Sequence, residues 1–149
     1  MKKEAENVVI TSKIVLPFSY AAGRTASRFF TELRDNQRIM GKRCPKCNRV
    51  IVPPRKICGK CFAETSEWVE VSNKGTLITY TTVYKKMPHL PKGRTLTYGI
   101  IRLDEADTNI VHFLREVDPK KIKPRMRVQA VFKEKREGNI LDIDYFKPI

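Results

Sequence analysis

Two close cysteine pairs, a run of β-branched and aromatic segments beyond them, and one amphipathic stretch before them predict a mainly β protein. Three parts are expected: an N-terminal arm and helix over residues 1–38, a metal-bound ribbon over 39–70, and a five-stranded barrel of the OB type over 71–149. With 149 residues the chain has room for one ordinary domain or two small ones. The ribbon is too short to bury a core alone, so a metal must supply what packing does not.

Residues Met1 to Gly23 carry short apolar runs, Val8-Val9-Ile10 and Ile14-Val15-Leu16, stopped by Pro17. They read as an extended arm with a strand that pairs on a partner. A helix follows from about Thr25 to Asn36, because Ala26, Phe29, Phe30 and Leu33 recur at helical spacing and form one apolar face. Thr25 is the expected N-cap and Asp35-Asn36 the stop. A short helix beside two small domains has little core of its own to cover. The face formed by Phe29, Phe30 and Leu33 is therefore expected to dock on another subunit; the alternative is packing on the chain's own ribbon or barrel.

The ribbon runs from about Ile39 to Glu67. Its pairs, Cys44-Pro-Lys-Cys47 and Cys58-Gly-Lys-Cys61, are separated by ten residues and account for every cysteine. Each Cys-x-x-Cys turn aims two sulfurs at one point, and two such turns close a tetrahedron around Zn²⁺ with bonds of about 2.3 Å. Asn48 tolerates the left-handed backbone expected after the first pair, and Gly59 gives the second turn similar freedom. Two disulfides or a redox dithiol are the alternatives. A redox pair would sit beside a βαβ pattern, which is absent, and the polar start Met1-Lys2-Lys3-Glu4 is no secretory signal. A four-thiolate site keeps no open position, so the zinc is expected to be structural and the protein cytoplasmic. Beyond the first pair, Val52-Pro53-Pro54-Arg55 reads as stiff and extended.

From Gly75 onward the chain changes character. Thr76 to Tyr84 is almost wholly β-branched or aromatic, and further strands are expected at Thr95–Leu103, Asn109–Glu116, Arg127–Lys135 and Asn139–Phe146. Residues 104–108 form a polar turn, and Glu137-Gly138 opens the last hairpin. The helix usual between the third and fourth strands of an OB barrel is missing, since Asp118-Pro119 to Pro124 is short and bounded by prolines.

The formal charge is +14, and every charged residue from 42 to 60 is basic: Lys42, Arg43, Lys46, Arg49, Arg55, Lys56 and Lys60. Further clusters are Lys85, Lys86, Lys92 and Arg94, and Lys120, Lys121, Lys123, Arg125 and Arg127. Such a field attracts polyanions, whether nucleic acid, an anionic membrane surface or a phosphate-bearing cofactor, although a charge cluster also serves plain solubility. No apolar run approaches the ~20 residues of a membrane span.

A catalytic set is not visible. His112 lies within a strand, where a structural role is expected, and His89 sits in the loop Met87-Pro88-His89-Leu90-Pro91, which suits a ligand or partner loop. No cysteine is left as a nucleophile, no phosphate-cradling glycine loop occurs, and Asp104, Glu105 and Asp107 read as a solvated turn. Aromatic residues on a basic barrel suggest base stacking, and that reading holds for Tyr80 and Tyr84, which share one face of the first strand. The residues alone describe a binding or scaffold protein.

Four segments together, Ser27-Arg28-Phe29-Phe30-Thr31-Glu32-Leu33, Gly41-Lys42-Arg43-Cys44-Pro45-Lys46-Cys47, Pro53-Pro54-Arg55 and Gly75-Thr76-Leu77-Ile78-Thr79-Tyr80-Thr81, resemble the DUF35 family. The resemblance covers nearly all of the chain from about Gly23. It implies an N-terminal helix, a rubredoxin-like zinc ribbon and a C-terminal OB-fold. Tyr98 to Thr108 with Val111-His112-Phe113 looks like the bacterial branch that accompanies thiolases. One departure is Pro124-Arg125-Met126, where the family tends to have glycine before the methionine.

What the resemblance implies is a non-catalytic accessory subunit of a thiolase-type acyl-CoA complex, inactive alone, with the partner supplying catalytic cysteine and bases. Within the branch the expected reaction belongs to anaerobic aromatic degradation: benzoylsuccinyl-CoA and CoA give benzoyl-CoA and succinyl-CoA. Lys42, Arg43, Arg49, Arg55 and Lys56 are then expected to meet the phosphates of CoA at the interface. Other family members bridge an acetoacetyl-CoA thiolase to a hydroxymethylglutaryl-CoA synthase, which is one alternative. A single-stranded nucleic-acid binder is the other; nucleic acid and membrane are otherwise not expected partners.

Overall fold

A computed structural model describes residues 8–84 and 96–149. One helix, α1 (Gly23–Asn36), precedes eight strands: β1 (Ile39–Arg43), β2 (Val50–Ile51), β3 (Trp68–Val71), β4 (Lys74–Val83), β5 (Leu96–Leu103), β6 (Asn109–Leu114), β7 (Arg127–Phe132) and β8 (Ile143–Pro148). The first three form an antiparallel sheet in the order β2-β1-β3, with the two cysteine turns at one end. The other five close a barrel in the order β4-β5-β6-β8-β7, sealed by the parallel pairing of β6 with β8 at Leu114 and Phe146. This is the mainly β zinc-ribbon and OB-fold architecture that the sequence predicts. A 3-10 turn at Pro119–Lys121, capped by Asp118, stands where many OB barrels carry a helix.

α1 starts two residues before the expected cap. Gly23 enters with φ of +79°, no side chain caps the first turn, and the chain leaves through a left-handed Gln37 with the Arg38 N–H donating to Glu32 O at 3.2 Å. Its apolar face corrects the docking expectation. Phe29 and Leu33 are 1% and 0% exposed, packed in the same core as Ile39, Val71, Ile143 and Phe146, and Phe30 packs half-buried beside Phe29. The helix thus covers the space where the ribbon sheet meets the turn before β8. Exposing either side chain to reach a partner would cost about 1.5–3 kcal/mol each.

Other local expectations change for definite reasons. A bulge between Leu77 and Thr79 reverses the alternation of β4 and turns Tyr80 onto the core, while Tyr84 lies beyond the end of the strand and is 79% exposed. The stacking pair is thereby split. Residues 140–142 form a 3-10 turn and not the start of a strand, because the Asp142 carboxylate is buried and accepts the N–H groups of Glu137, Gly138 and Asn139 at 2.9, 2.7 and 3.2 Å. Val52 and Pro53 form a bend, so this segment is not straight. Gly75 is required where β4 crosses β5: a Cβ there would meet Arg102 O at 2.3 Å.

Candidate metal centre and basic cleft

The two cysteine turns are near copies of one another. In the first, Cys44 N–H donates to Arg49 O and Asn48 N–H to Cys44 O; in the second, Cys58 N–H donates to Ala63 O and Phe62 N–H to Cys58 O. Asn48 and Phe62 hold equivalent left-handed positions, with φ of 57° and 56°. The sequence places Asn48 correctly, but the second turn takes its special conformation at Phe62 and not at Gly59. All four sulfurs lie within 4.8 Å of one another, with Cys47 to Cys58 at 3.8 Å and Cys58 to Cys61 at 3.9 Å. A tetrahedral ion with four bonds of about 2.3 Å needs sulfur–sulfur edges of about 3.8 Å. The residues fit Zn²⁺, and Cys44 and Cys58 are buried as structural ligands should be.

Electrostatics points the same way. N–H groups of Cys61 and Lys60 directed at Cys58 pull its thiol down to about 6, whereas the crowding sulfur of Cys47, followed by burial, pushes Cys61 up to about 12. Four thiolates at these distances repel, and a divalent cation is the natural counter-charge.

The structure sorts the basic residues of the ribbon into two groups. Lys42 is 8% exposed: its Nζ donates to Thr65 O at 2.8 Å and lies 5.5 Å from the Trp68 ring, which also carries Arg28 at 4.7 Å. Arg43 is held by Glu67 at 2.9 Å and by Asn48, and Lys56 lies 3.9 Å from Glu64. Lys42 and Arg43 are therefore engaged by partners within the ribbon. Arg49 and Arg55 instead line a cleft of about 280 Å³ between the second cysteine turn and the barrel, together with Pro53, Lys60, Thr108 and Asn109. No acidic residue lines it, and Arg55 and Lys60 make no ion pair among the described residues. Lys60 belongs to this group only because its turn faces the barrel. Thr108 and Asn109 arrive from the other domain, which ribbon spacing alone could not reveal.

The remaining candidates have structural roles. His112 is 4% exposed; its Nδ1 accepts the Phe113 N–H at 2.9 Å, so Nε2 carries the proton and donates to Ile140 O at 3.2 Å. Burial holds its pKa below the usual histidine value. The acidic turn is not merely solvated: Asp104 pairs with Arg127, Glu105 accepts the Ser72 N–H at 2.9 Å, and Asp107 bonds the ribbon. His89 and the cluster of Lys85, Lys86, Lys92 and Arg94 lie outside the described residues. Among the described residues no helix is long and apolar enough to cross a membrane.

Comparison with known proteins agrees with this anatomy. Residues 31–67 match the profile of the ChsH2 rubredoxin-like zinc ribbon domain, and residues 68–133 that of the ChsH2 C-terminal OB-fold domain. The chain is 31% identical over 127 residues to a DUF35 domain-containing scaffold protein of Methanocaldococcus jannaschii, covering 82% of this chain and 89% of that one. A DUF35 domain-containing scaffold protein of Pyrococcus furiosus is 29% identical over 127 residues, covering 83% and 92%. Among solved structures, a chain of the Ltp2-ChsH2(DUF35) aldolase superposes with a TM-score of 0.59 at 21% identity, covering 87% of this chain and 98% of that one. A DUF35-family protein of unknown function from Sulfolobus solfataricus gives 0.60 at 23% identity, covering 73% and 78%. At these identities the structural likeness is one of fold.

Proposed function

Because the chain belongs to the DUF35 family, we propose that it is the non-catalytic scaffold subunit of an acyl-CoA enzyme complex, docked on a thiolase-type catalytic subunit. The observation that carries the reading is the cleft between ribbon and barrel. It offers Arg49, Arg55 and Lys60 with no acidic residue in its lining, a set suited to the 3′-phosphate or pyrophosphate of CoA by charge-assisted hydrogen bonds. The apolar wall formed by Ile51, Val52 and Pro53 gives the adenosine end a surface to lie against. The scaffold role of the archaeal relatives and the aldolase complex of the structural neighbour both support a hetero-oligomer.

Phe62 supplies the docking contact. It is 81% exposed at the tip of the second cysteine turn and holds a left-handed backbone that a bulky residue seldom adopts. A partner seated there would close the cleft from outside and bring its acyl channel to the basic residues. Zinc fixes the turn that carries Phe62 and Lys60, which begins three residues beyond Arg55. In this reading the partner provides the nucleophilic cysteine and the acid–base groups, and the reaction is thiolytic cleavage of benzoylsuccinyl-CoA by a second CoA, giving benzoyl-CoA and succinyl-CoA.

Co-expression with the catalytic subunit tests both halves. Phe62→Ser should abolish co-purification while leaving zinc bound. Arg55→Ala with Lys60→Ala should leave the complex assembled but raise its KM for CoA about tenfold to a hundredfold, since a charged contact contributes about 1.5–3 kcal/mol. An unchanged KM removes CoA from the cleft. Tight oligonucleotide binding by the isolated chain, lost in the same double variant, would favour nucleic acid instead.

A further inference from the structure

The arm and the barrel each carry one half of an unmade strand pairing. β4 pairs with β5 along its length, but with β7 only at Lys74, Gly75 and Thr76, and Leu77 closes that side through Arg125 and Met126. From Ile78 to Val83 the side of β4 turned away from β5 has no backbone partner among the described residues. This edge reads Ile-Thr-Tyr-Thr-Thr-Val. It contains no charge and no proline, the devices that normally keep an open edge from pairing. Six residues span about 20 Å.

The arm has the complementary character. Every residue from 8 to 22 is exposed and lies outside any helix, strand or turn. Ile14, Leu16, Phe18 and Tyr20 recur at two-residue spacing and are 77% to 82% exposed, and the Phe18 and Tyr20 rings stack at 6.1 Å on one side. Pro17 falls on the opposite parity. In a strand the N–H and C=O of one residue point the same way and alternate with the next. If residues 14, 16, 18 and 20 bond a neighbour, the missing N–H of Pro17 faces outward, where it stops any further strand from adding. The arm is built to pair on one side only. Seven residues reach about 23 Å, matching the free length of β4.

We propose that the segment Ile14–Tyr20 of one copy adds as a strand to the Ile78–Val83 edge of β4 in a second copy, and reciprocally, forming a two-fold arm-exchanged dimer. The symmetric exchange uses both arms and both edges and leaves neither in water. A strand from another protein would cover the edge but leave the apolar stripe of the arm exposed, and the arm does not seat on the edge of its own chain. The dimer carries two metal centres and two basic clefts. It stands apart from the proposed CoA role, since it is measured without any catalytic subunit.

The test uses the zinc-loaded full chain alone. Light scattering should give twice the 17.3 kDa chain mass. Deleting residues 2–20 should give a monomer with unchanged zinc, and the full-length variant Leu16→Asp with Phe18→Asp should also be monomeric. Amide exchange at Ile78–Val83 should be about tenfold or more slower in the full chain than in either variant. A monomeric full chain, or a dimer that survives loss of the arm, overturns the proposal. So does edge exchange indifferent to the arm, or protection that comes only when a catalytic subunit is added.

Discussion

Val50 and Asp107 exchange two hydrogen bonds across the junction of ribbon and barrel: Val50 N–H donates to Asp107 Oδ2 at 2.8 Å, and Asp107 N–H donates to Val50 O at 2.9 Å. Thr108 extends the seam, its Oγ1 accepting the Val52 N–H and donating to Val52 O, both at 2.7 Å. Arg49 adds a bond to Asp107 O at 3.1 Å. The seam positions one wall of the cleft against the other.

Thr108→Val keeps the side-chain shape but leaves both polar groups of Val52, a residue only 2% exposed, without their partner. The expected loss is about 2–3 kcal/mol. Chemical denaturation should show it, whereas Thr108→Ser should retain most of the stability. If valine is tolerated at no measurable loss, the seam does not hold the domains together.

The metal prediction concerns where the damage stops. Cys47→Ser should release the ion and unfold the two turns, because structural zinc contributes on the order of 10 kcal/mol of binding energy that the small ribbon cannot replace. The cysteines pack with Ile51 in a cluster separate from the core that holds Leu77, Ile101, Val128 and Phe146. Proteolysis of the variant should therefore begin between residues 44 and 64 and leave β4–β8 intact. Undiminished thermal stability in a metal-free sample would contradict the structural role.

Much of this was legible in the sequence, and the failures share a cause. The metal ligands could be read because Cys-x-x-Cys chemistry is local, and the five barrel strands because β-branched runs are local. Phe29 and Leu33 announce an apolar face, but nothing in the helix says what it meets; β1 and the turn before β8 cover it. In the sequence Lys42 looks like one more surface cation, but its Nζ is bonded to Thr65, 23 residues away. Thr108 is 56 residues from Val52, and a threonine after an acidic turn carries no mark of that contact. Phe62 could be recognised only by comparing the two cysteine turns residue by residue, since its type argues against a positive φ.

Acid should weaken the barrel through His112. Burial lowers its folded-state pKa below 6.5, an effect only partly opposed by the bond to Ile140. Below about pH 6.5 the unfolded chain takes up a proton that the folded chain does not. Its contribution is thus complete above that pH and is lost as the pH falls toward the folded value. His112→Asn, which keeps an acceptor for the Phe113 N–H, should lower stability at pH 7.5 yet flatten its decline below about pH 6.5. An equally steep acid limb in the variant would assign that decline to other groups.

Arg125 offers a stabilising substitution. It sits at φ of 71°, exposed, with its N–H donating to Leu77 O at 2.7 Å where β4 meets the loop before β7. The turn that favours glycine is therefore kept although the residue is not glycine. A left-handed conformation costs a side-chain-bearing residue about 1–2 kcal/mol. Glycine would relieve that cost but lose about 0.5–1 kcal/mol to the greater freedom of its unfolded chain. The balance favours Arg125→Gly by about 0.5–1 kcal/mol, a rise in Tm of roughly 1–3 °C for a chain of this size. Arg125→Ala is the control: it removes the same charge while keeping the strained backbone, and its Tm should not rise. Should alanine match or exceed glycine, the gain comes from removing a cation among Lys120, Lys121 and Lys123, and the backbone at 125 stores no strain.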